Sequence, residues 1–286
     1  MSENNRLSDA AFLRYQRQVS LTEVGEQGQL KLNKAHVLII GCGGLGSAAA
    51  QYLAASGVGR LVIVDDDVVE SSNLQRQTVY RESDLGRPKA ESMREQLMSL
   101  NSSIRVRSIC ERLDEKRLGL EVMLADVVLD CSDNMPTRQL INLTCFQQTT
   151  DLVSGSAIGW KGQFAVFEYS NRATVNQGEP EHRRESKVAC YRCLFPFDEV
   201  PNTAKCSESG IVGPVVGTIG NYQALATIQK LARGRYTLTP QTLHLFDGLS
   251  LQWQTLAIAP DPQCTVCGSP FTSSNSNQKQ QTGELS

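Results

Sequence analysis

HVLIIGCGGLG (36–46) runs from a continuous apolar, β-branched segment straight into a cluster of glycines. A short apolar run bounded by glycine predicts a strand buried on both faces. The alanine-rich segment 47–56 predicts a helix after it, and RLVIVD (60–65) predicts a second buried strand. Glycines in such a strand-to-helix turn let the backbone approach a phosphate, and the helix N-terminus offers it unpaired N–H groups. Gly41, Gly43, Gly44 and Gly46 are therefore candidate nucleotide-binding positions. Asp65, at the tip of the second strand, is placed to accept from ribose hydroxyls.

The same alternation continues outward. Pro88 opens a helix reaching about residue 100, Pro being favoured in a first helical turn. IRVRSIC (104–110) alternates like a half-exposed strand, ADVVLDC (125–131) and DLVSGSA (151–157) are further apolar strands, and a helix fills 135–148. Strands and helices in this rhythm predict an α/β fold with a doubly wound, mostly parallel Rossmann-like sheet. Residues 1–35 form an N-terminal helical arm and 36–157 the nucleotide-binding unit. Residues 158–268 are the C-terminal half of the same domain, an antiparallel extension. It holds KGQFAVFEY (161–169), a polar stretch at 170–187 expected to be a mobile crossover loop, and a buried helix at 211–232. TLHLFDG and SLQWQTLAI follow as two strands joined by a tight Asp-Gly turn. Residues 269–286, rich in Ser, Asn and Gln, are expected to be disordered.

Composition narrows the function. The chain has 286 residues, 40% of them hydrophobic, enough for a large core without staples. Lys plus Arg number 28 and Asp plus Glu 30, a net charge of −2 that leaves no electrostatic footprint for nucleic acid. No run of 18 apolar residues predicts a membrane span. The start, MSENNRLSDA, does not resemble a signal peptide, and the nine cysteines are an odd number. Both point to a reducing, cytoplasmic setting with metal-bound or free thiols in preference to disulfides.

NAD is the default ligand of a G-x-G-x-x-G unit. Three features favour a triphosphate. Ser72, Asn73, Arg76 and Lys89 follow the second strand, where polar and cationic groups can meet phosphates. Asp133, in VLDCSD, ends a strand on the carboxyl edge, suited to hold Mg²⁺ or to cap the next helix. Arg14 and Arg17 stand on the arm without an evident acidic partner. An NAD-dependent oxidoreductase would need a proton donor, and none of His36, His182 and His244 falls on a carboxyl-edge loop.

Cys190-x-x-Cys193 and Cys264-x-x-Cys267 supply four thiolates in the pattern of a closed, structural Zn²⁺ site, with a redox role as the competitor. Cys42, Cys110, Cys131 and Cys145 read as small core residues. Cys206, in NTAKCSESG beside Lys205 and ahead of a helix, has the surroundings that lower a thiol pKa.

GCGGLG, DDDVVESSNLQRQ (65–77), GRPKA (86–90), LDCSDN (129–134) and the two C-x-x-C pairs together resemble the ThiF/MoeB/HesA family, bacterial relatives of the ubiquitin-activating enzyme. The resemblance covers roughly residues 9–268 and implies an ATP-dependent adenylyltransferase. Its substrate would be the C-terminal glycine carboxylate of a small ubiquitin-like sulfur carrier ending in Gly-Gly. It implies Gly44 at the phosphates, Asp65 at the ribose, Asn73, Arg76 and Lys89 at the triphosphate, and Asp133 on Mg²⁺. Arg17 would enter the neighbouring subunit's site in a homodimer, and Cys206 would take part in sulfur transfer, with a cysteine desulfurase or other donor supplying sulfur. CYRCLFP and GIVGPVVG look closer to the family's thiamine-pathway members, and the molybdopterin carrier is the alternative substrate.

Overall fold

β1 (His36–Ile40) is buried along nearly its whole length because a strand flanks it on either side and helices cover both faces. Its neighbours are β2 (Arg60–Val64) and β4 (Val127–Asp130); β3 (Arg105–Ile109) lies outside β2 and β5 (Asp151–Ile158) outside β4, all parallel. The computed structural model describes residues 6–171, 188–198 and 210–268. Cys206, most of the polar stretch at 170–187 and the tail at 269–286 lie outside the described residues.

β6 (Lys161–Phe167), β7 (Thr242–Asp247) and β8 (Gln252–Ala257) continue the same sheet antiparallel to one another, giving the order β3-β2-β1-β4-β5-β6-β7-β8. The expected α/β architecture with an antiparallel C-terminal extension is present. Side chains alternate across the sheet and divide two cores. Val37, Ile39, Leu61, Ile63, Val127 and Leu129 face one layer, made of α2 (Gly25–Lys34), α3 (Gly44–Ala55), α4 (Lys89–Leu100) and α8 (Gly213–Arg233). Leu38, Ile40, Val62, Val64, Val128 and Leu152 face the other, made of α5 (Glu115–Leu124), α6 (Met135–Gln148) and α7 (Tyr191–Leu194). Alternation of this kind on an all-buried strand is why the sequence shows an unbroken apolar run. The buried helix expected at 211–232 is α8. It lies along α3, and Gly234 ends it in the left-handed region at φ 77°.

The arm consists of α1 (Asp9–Val19) and α2. Ser8 caps α1, its Oγ accepting from Ala11 N–H at 3.2 Å. Buried Tyr15, whose hydroxyl accepts from Asn101 Nδ2 at 2.9 Å, roots the helix. Gln18 Nε2 donates to Ser56 O at 3.1 Å and Arg14 to Leu100 O at 2.6 Å. The expected tight Asp-Gly turn is in fact a four-residue loop, because Asp247 pairs with Gln252. Asp247 Oδ1 accepts from Leu249 N–H at 2.9 Å, and Leu251 closes the loop at φ 57°. Cys110 is also a correction: it is exposed, because β3 is an edge strand and leaves the sheet there. Cys42, Cys131 and Cys145 are buried as expected, and burial raises the pKa of each thiol.

Candidate active site

The strand order 3-2-1-4-5 reverses between β1 and β4, and open α/β sheets bind ligands outside the carboxyl ends at such a switch. Ile40 is level with Val64 on one side and Asp130 on the other. Gly41, Asp65 and Cys131 therefore leave the sheet side by side.

The glycine loop enters α3 three residues earlier than helical patterning suggested. Gly43 is its N-cap, and no side chain caps its first turn. Close packing holds the loop: a Cβ on Gly46 would lie 1.9 Å from Gly41 O, and one on Gly41, at φ +98°, would lie 2.5 Å from Cys131 O. Only glycine fits either place. An uncapped helix N-terminus at a switch point is the donor chemistry a phosphate chain needs. ATP fits the residues present here.

Asp65 is tied to that loop. Its Oδ2 accepts from Cys42 N–H at 2.6 Å and its Oδ1 from Asp67 N–H at 2.9 Å. Burial lifts its pKa above the ordinary value, against those amide bonds and nearby Lys89, which lower it. Lys89, the first residue of α4, is buried, and its Nζ lies 2.7 Å from Asp67 Oδ2. Tyr80 joins the two parts: its hydroxyl donates to Cys42 O at 2.8 Å and stands 3.3 Å from Lys89 O.

Asn73 and Arg76 lie on a 3-10 turn over 71–73 and just past it. Asn73 is buried and mostly structural in its bonds, Oδ1 accepting from Glu70 N–H at 3.3 Å and Nδ2 donating to Ser72 Oγ at 3.2 Å. Arg76 folds back onto Ser72 O at 2.9 Å. Neighbouring Gln77 is buried, and its Oε1 has no hydrogen-bond partner. On the other flank the cap of α6 is Asn134, whose Oδ1 accepts from Thr137 N–H at 3.0 Å. Asp133 is thus released from the capping role and is exposed, touched by Asn134 Nδ2 at 3.3 Å. A solvent-facing carboxylate with free lone pairs suits Mg²⁺, which keeps several waters and takes one or two protein oxygens.

Arg17 is exposed on α1, and its side chain makes no hydrogen bond or ion pair with another described residue. Exposed Leu13 stands one helical turn before it on the same face of α1, and Leu21, just past the helix, is also exposed.

The four cysteines of the two C-x-x-C pairs converge, every sulfur within 4.8 Å of the others. Cys190 Sγ is 3.6 Å from Cys264 Sγ, and Cys193 Sγ 3.2 Å from Cys267 Sγ. A tetrahedral Zn²⁺ with ~2.3 Å bonds needs sulfurs roughly 3.8 Å apart, so the cluster is of the right size to bind zinc. The hydrogen bond from Cys267 lowers the pKa of Cys190, and giving it raises that of Cys267. A thiolate at hand and crowded partners are the chemistry of a metal site. α7, which sequence patterning missed because it is a single turn, spaces the first pair.

The ThiF family model matches residues 15–266. The chain belongs to the ThiF family. Among ThiF relatives it is 44% identical over 262 residues to the sulfur carrier protein ThiS adenylyltransferase of Escherichia coli K12, covering 92% of this chain and 97% of that one. It is 40% identical to the molybdopterin-synthase adenylyltransferase of the same organism, covering 92% and 98%. Among solved structures, that of E. coli MccB with MccA-N7isoASN matches with a TM-score of 0.74 at 22% identity, over 91% of this chain and 76% of that one. At that identity the likeness is one of fold. Among the described residues no helix is long and apolar enough to cross a membrane.

Of the ThiF residues foreseen, the structure groups Gly41, Gly43, Gly44, Gly46 and Asp65 at the switch point. Asn73, Arg76 and Lys89 lie on the segment that folds back toward it, and Asp133 follows β4. Tyr80, Gln77 and the Asp67–Lys89 pair went unforeseen, since polar residues in a loop carry no periodic signal.

Proposed function

We propose that this chain adenylates the C-terminal glycine carboxylate of a small ubiquitin-like sulfur-carrier protein of the thiazole (thiamine) pathway. The observation that carries this reading is the match, nearly end to end on both chains, to the ThiS adenylyltransferase. The carrier's carboxylate oxygen attacks the α-phosphorus of ATP, the bond to the bridging oxygen breaks, and diphosphate leaves with that electron pair. An α-carboxyl has a pKa of about 3.5, so the nucleophile is already ionised and no general base is needed. What remains is alignment and neutralisation of charge on the phosphates.

The uncapped N–H groups at Gly43, Gly44 and Gly46 receive phosphate oxygens, and Asp65 takes the ribose. Lys89 and Arg76 exchange their present partners, Asp67 and Ser72 O, for the triphosphate, with Ser72 and Asn73 beside it. Asp133 would hold Mg²⁺, which would supply further neutralisation of charge on the triphosphate. Arg17 reaches the site of the partner subunit in a homodimer, a role supported by its exposed side chain, which has no hydrogen-bond or ion-pair partner among the described residues. Arginines so inserted in related phosphoryl chemistry are worth ~10³–10⁵ in rate. Zn²⁺ on Cys190, Cys193, Cys264 and Cys267 is structural, because four protein ligands leave no open position. Cys206 acts in the later sulfur step, fed by a cysteine desulfurase or another sulfur donor, in the cytoplasm.

The molybdopterin carrier is the second reading, favoured by the 40% match to its adenylyltransferase. ATP–diphosphate exchange measured with each Gly-Gly-ended carrier separates the two. Exchange with the thiazole carrier supports the first reading, exchange with the molybdopterin carrier alone supports the second, and exchange with neither overturns both.

A further inference from the structure

Arg138, on α6, lies buried beneath the loop that carries Asp133, and the adenylation reading gives it no part. Its side chain is 6% exposed, and its guanidinium joins three chain segments. Nη1 donates to Asp130 Oδ2 at 3.0 Å and to Ser154 Oγ at 3.4 Å. Nη2 donates to Gly155 O at 3.0 Å and to Ser132 O. Asp130, 1% exposed, completes the ring. Its Oδ1 accepts from Ser132 N–H at 3.1 Å and Ser132 Oγ at 2.6 Å, and its Oδ2 from Ser154 Oγ at 2.8 Å. Both the amide and the carbonyl of Ser132, the residue before Asp133, are thus held from below.

We infer that Arg138 is a positioning residue, bracing Ser132 against Asp130 and β5 so that Asp133 keeps one geometry toward the metal–nucleotide complex. The inference rests on the adenylation reading's placement of the metal at Asp133. Only a planar fork of donors meets a carboxylate, a hydroxyl and two carbonyls at once; an ammonium on a flexible stem replaces the charge but not the directions. Charge and geometry make opposite predictions for the site. Arg138 cancels Asp130, so removing it leaves the region more negative, which by Coulomb attraction alone would tighten cation binding. Losing the brace weakens it instead. A mere staple between β4 and β5 would alter stability and leave the metal affinity where it was.

The test uses the full chain with Mn²⁺ as the probe and a non-hydrolysable ATP analogue, without carrier. In Arg138→Met and Arg138→Lys, Mn²⁺ affinity by electron paramagnetic resonance should fall ~10–100-fold, the range seen when groups supporting metal ligands are removed. Analogue affinity without divalent cation and zinc content should stay at wild-type values. Adding Asp133→Asn to either variant should cause little further loss, since the brace acts through that carboxylate. Unchanged or tighter Mn²⁺ binding, or a loss fully additive with Asp133→Asn, overturns the inference. Hydrogen exchange across 131–134 tests the brace without any metal: faster exchange supports it, and unaltered protection overturns it even if Asp133→Asn alone shows that the metal lies elsewhere. Should Arg138→Met not fold, Ser154→Ala, which breaks the same ring without touching charge, is read the same way.

Discussion

The ammonium of Lys89, whose side chain is 8% exposed, meets the carboxylate of Asp67, whose side chain is 68% exposed, at 2.7 Å. A buried cation is held by a partner that solvent already reaches, so a phosphate can take its place without leaving the lysine unpaired. Asp67→Asn should therefore lower the stability of the nucleotide-free protein by about 1–3 kcal/mol, the cost of a weakened partner for a buried charge. It should also enlarge the rise in melting temperature caused by ATP, because bound phosphate restores what was lost. A thermal-shift titration with and without ATP checks both; an ATP-induced shift equal to wild type would detach Lys89 from the nucleotide.

Asp65 has a pH signature. Burial raises its folded pKa above the unfolded value, so the folded chain binds this proton more readily. The contribution is complete below the unfolded pKa and is lost as pH rises through the folded one. The melting temperature of Asp65→Asn relative to wild type should accordingly be higher at about pH 7 than at about pH 3, below the unfolded pKa, where the wild-type carboxyl is protonated in both states. Nucleotide affinity should drop in the same variant. A stability difference that does not vary across that window would place the carboxylate in a solvated setting.

Zinc should be present at one equivalent per chain in protein purified without chelator. Cys267→Ser should release it and lower the melting temperature by several degrees, as the cluster ties the segment after Val188 to the chain near Gly268. Elemental analysis showing no zinc in the wild type would return the two pairs to redox chemistry.

Arg17 should act across the dimer. Mixing Arg17→Ala protein with protein disabled at Asp133→Asn should restore diphosphate exchange, because one of the two sites in a heterodimer then has both groups. Absent complementation after confirmed subunit exchange would put Arg17 in its own subunit's site or outside catalysis.

Cys206→Ser should keep ATP–diphosphate exchange near wild type, since alignment and charge neutralisation need no thiol. The same variant should lose any thiol-reducible adduct with the carrier on a non-reducing gel. An adduct that persists with serine in place would remove this residue from the sulfur step.

How much of this was legible in advance follows from the range of the interactions involved. Strand, glycine turn and helix in HVLIIGCGGLG are specified by residues within a few positions of one another, so patterning alone located this strand–turn–helix unit. Two C-x-x-C pairs likewise announced a four-sulfur cluster, because the ligand chemistry is carried by spacing. Three outcomes needed the folded chain. Cys110 is exposed because the crossover order puts β3 at the sheet's edge, and no local feature encodes which strand will be outermost. Asn134 took the helix cap and left Asp133 free, a competition between adjacent acceptors settled by loop geometry. Lys89 found Asp67, and Arg138 found Asp130, Ser154 and Gly155, only because β2, β4 and β5 end together at the carboxyl edge. Buried charges must be partnered, and their partners are set by what the sheet brings within hydrogen-bonding distance.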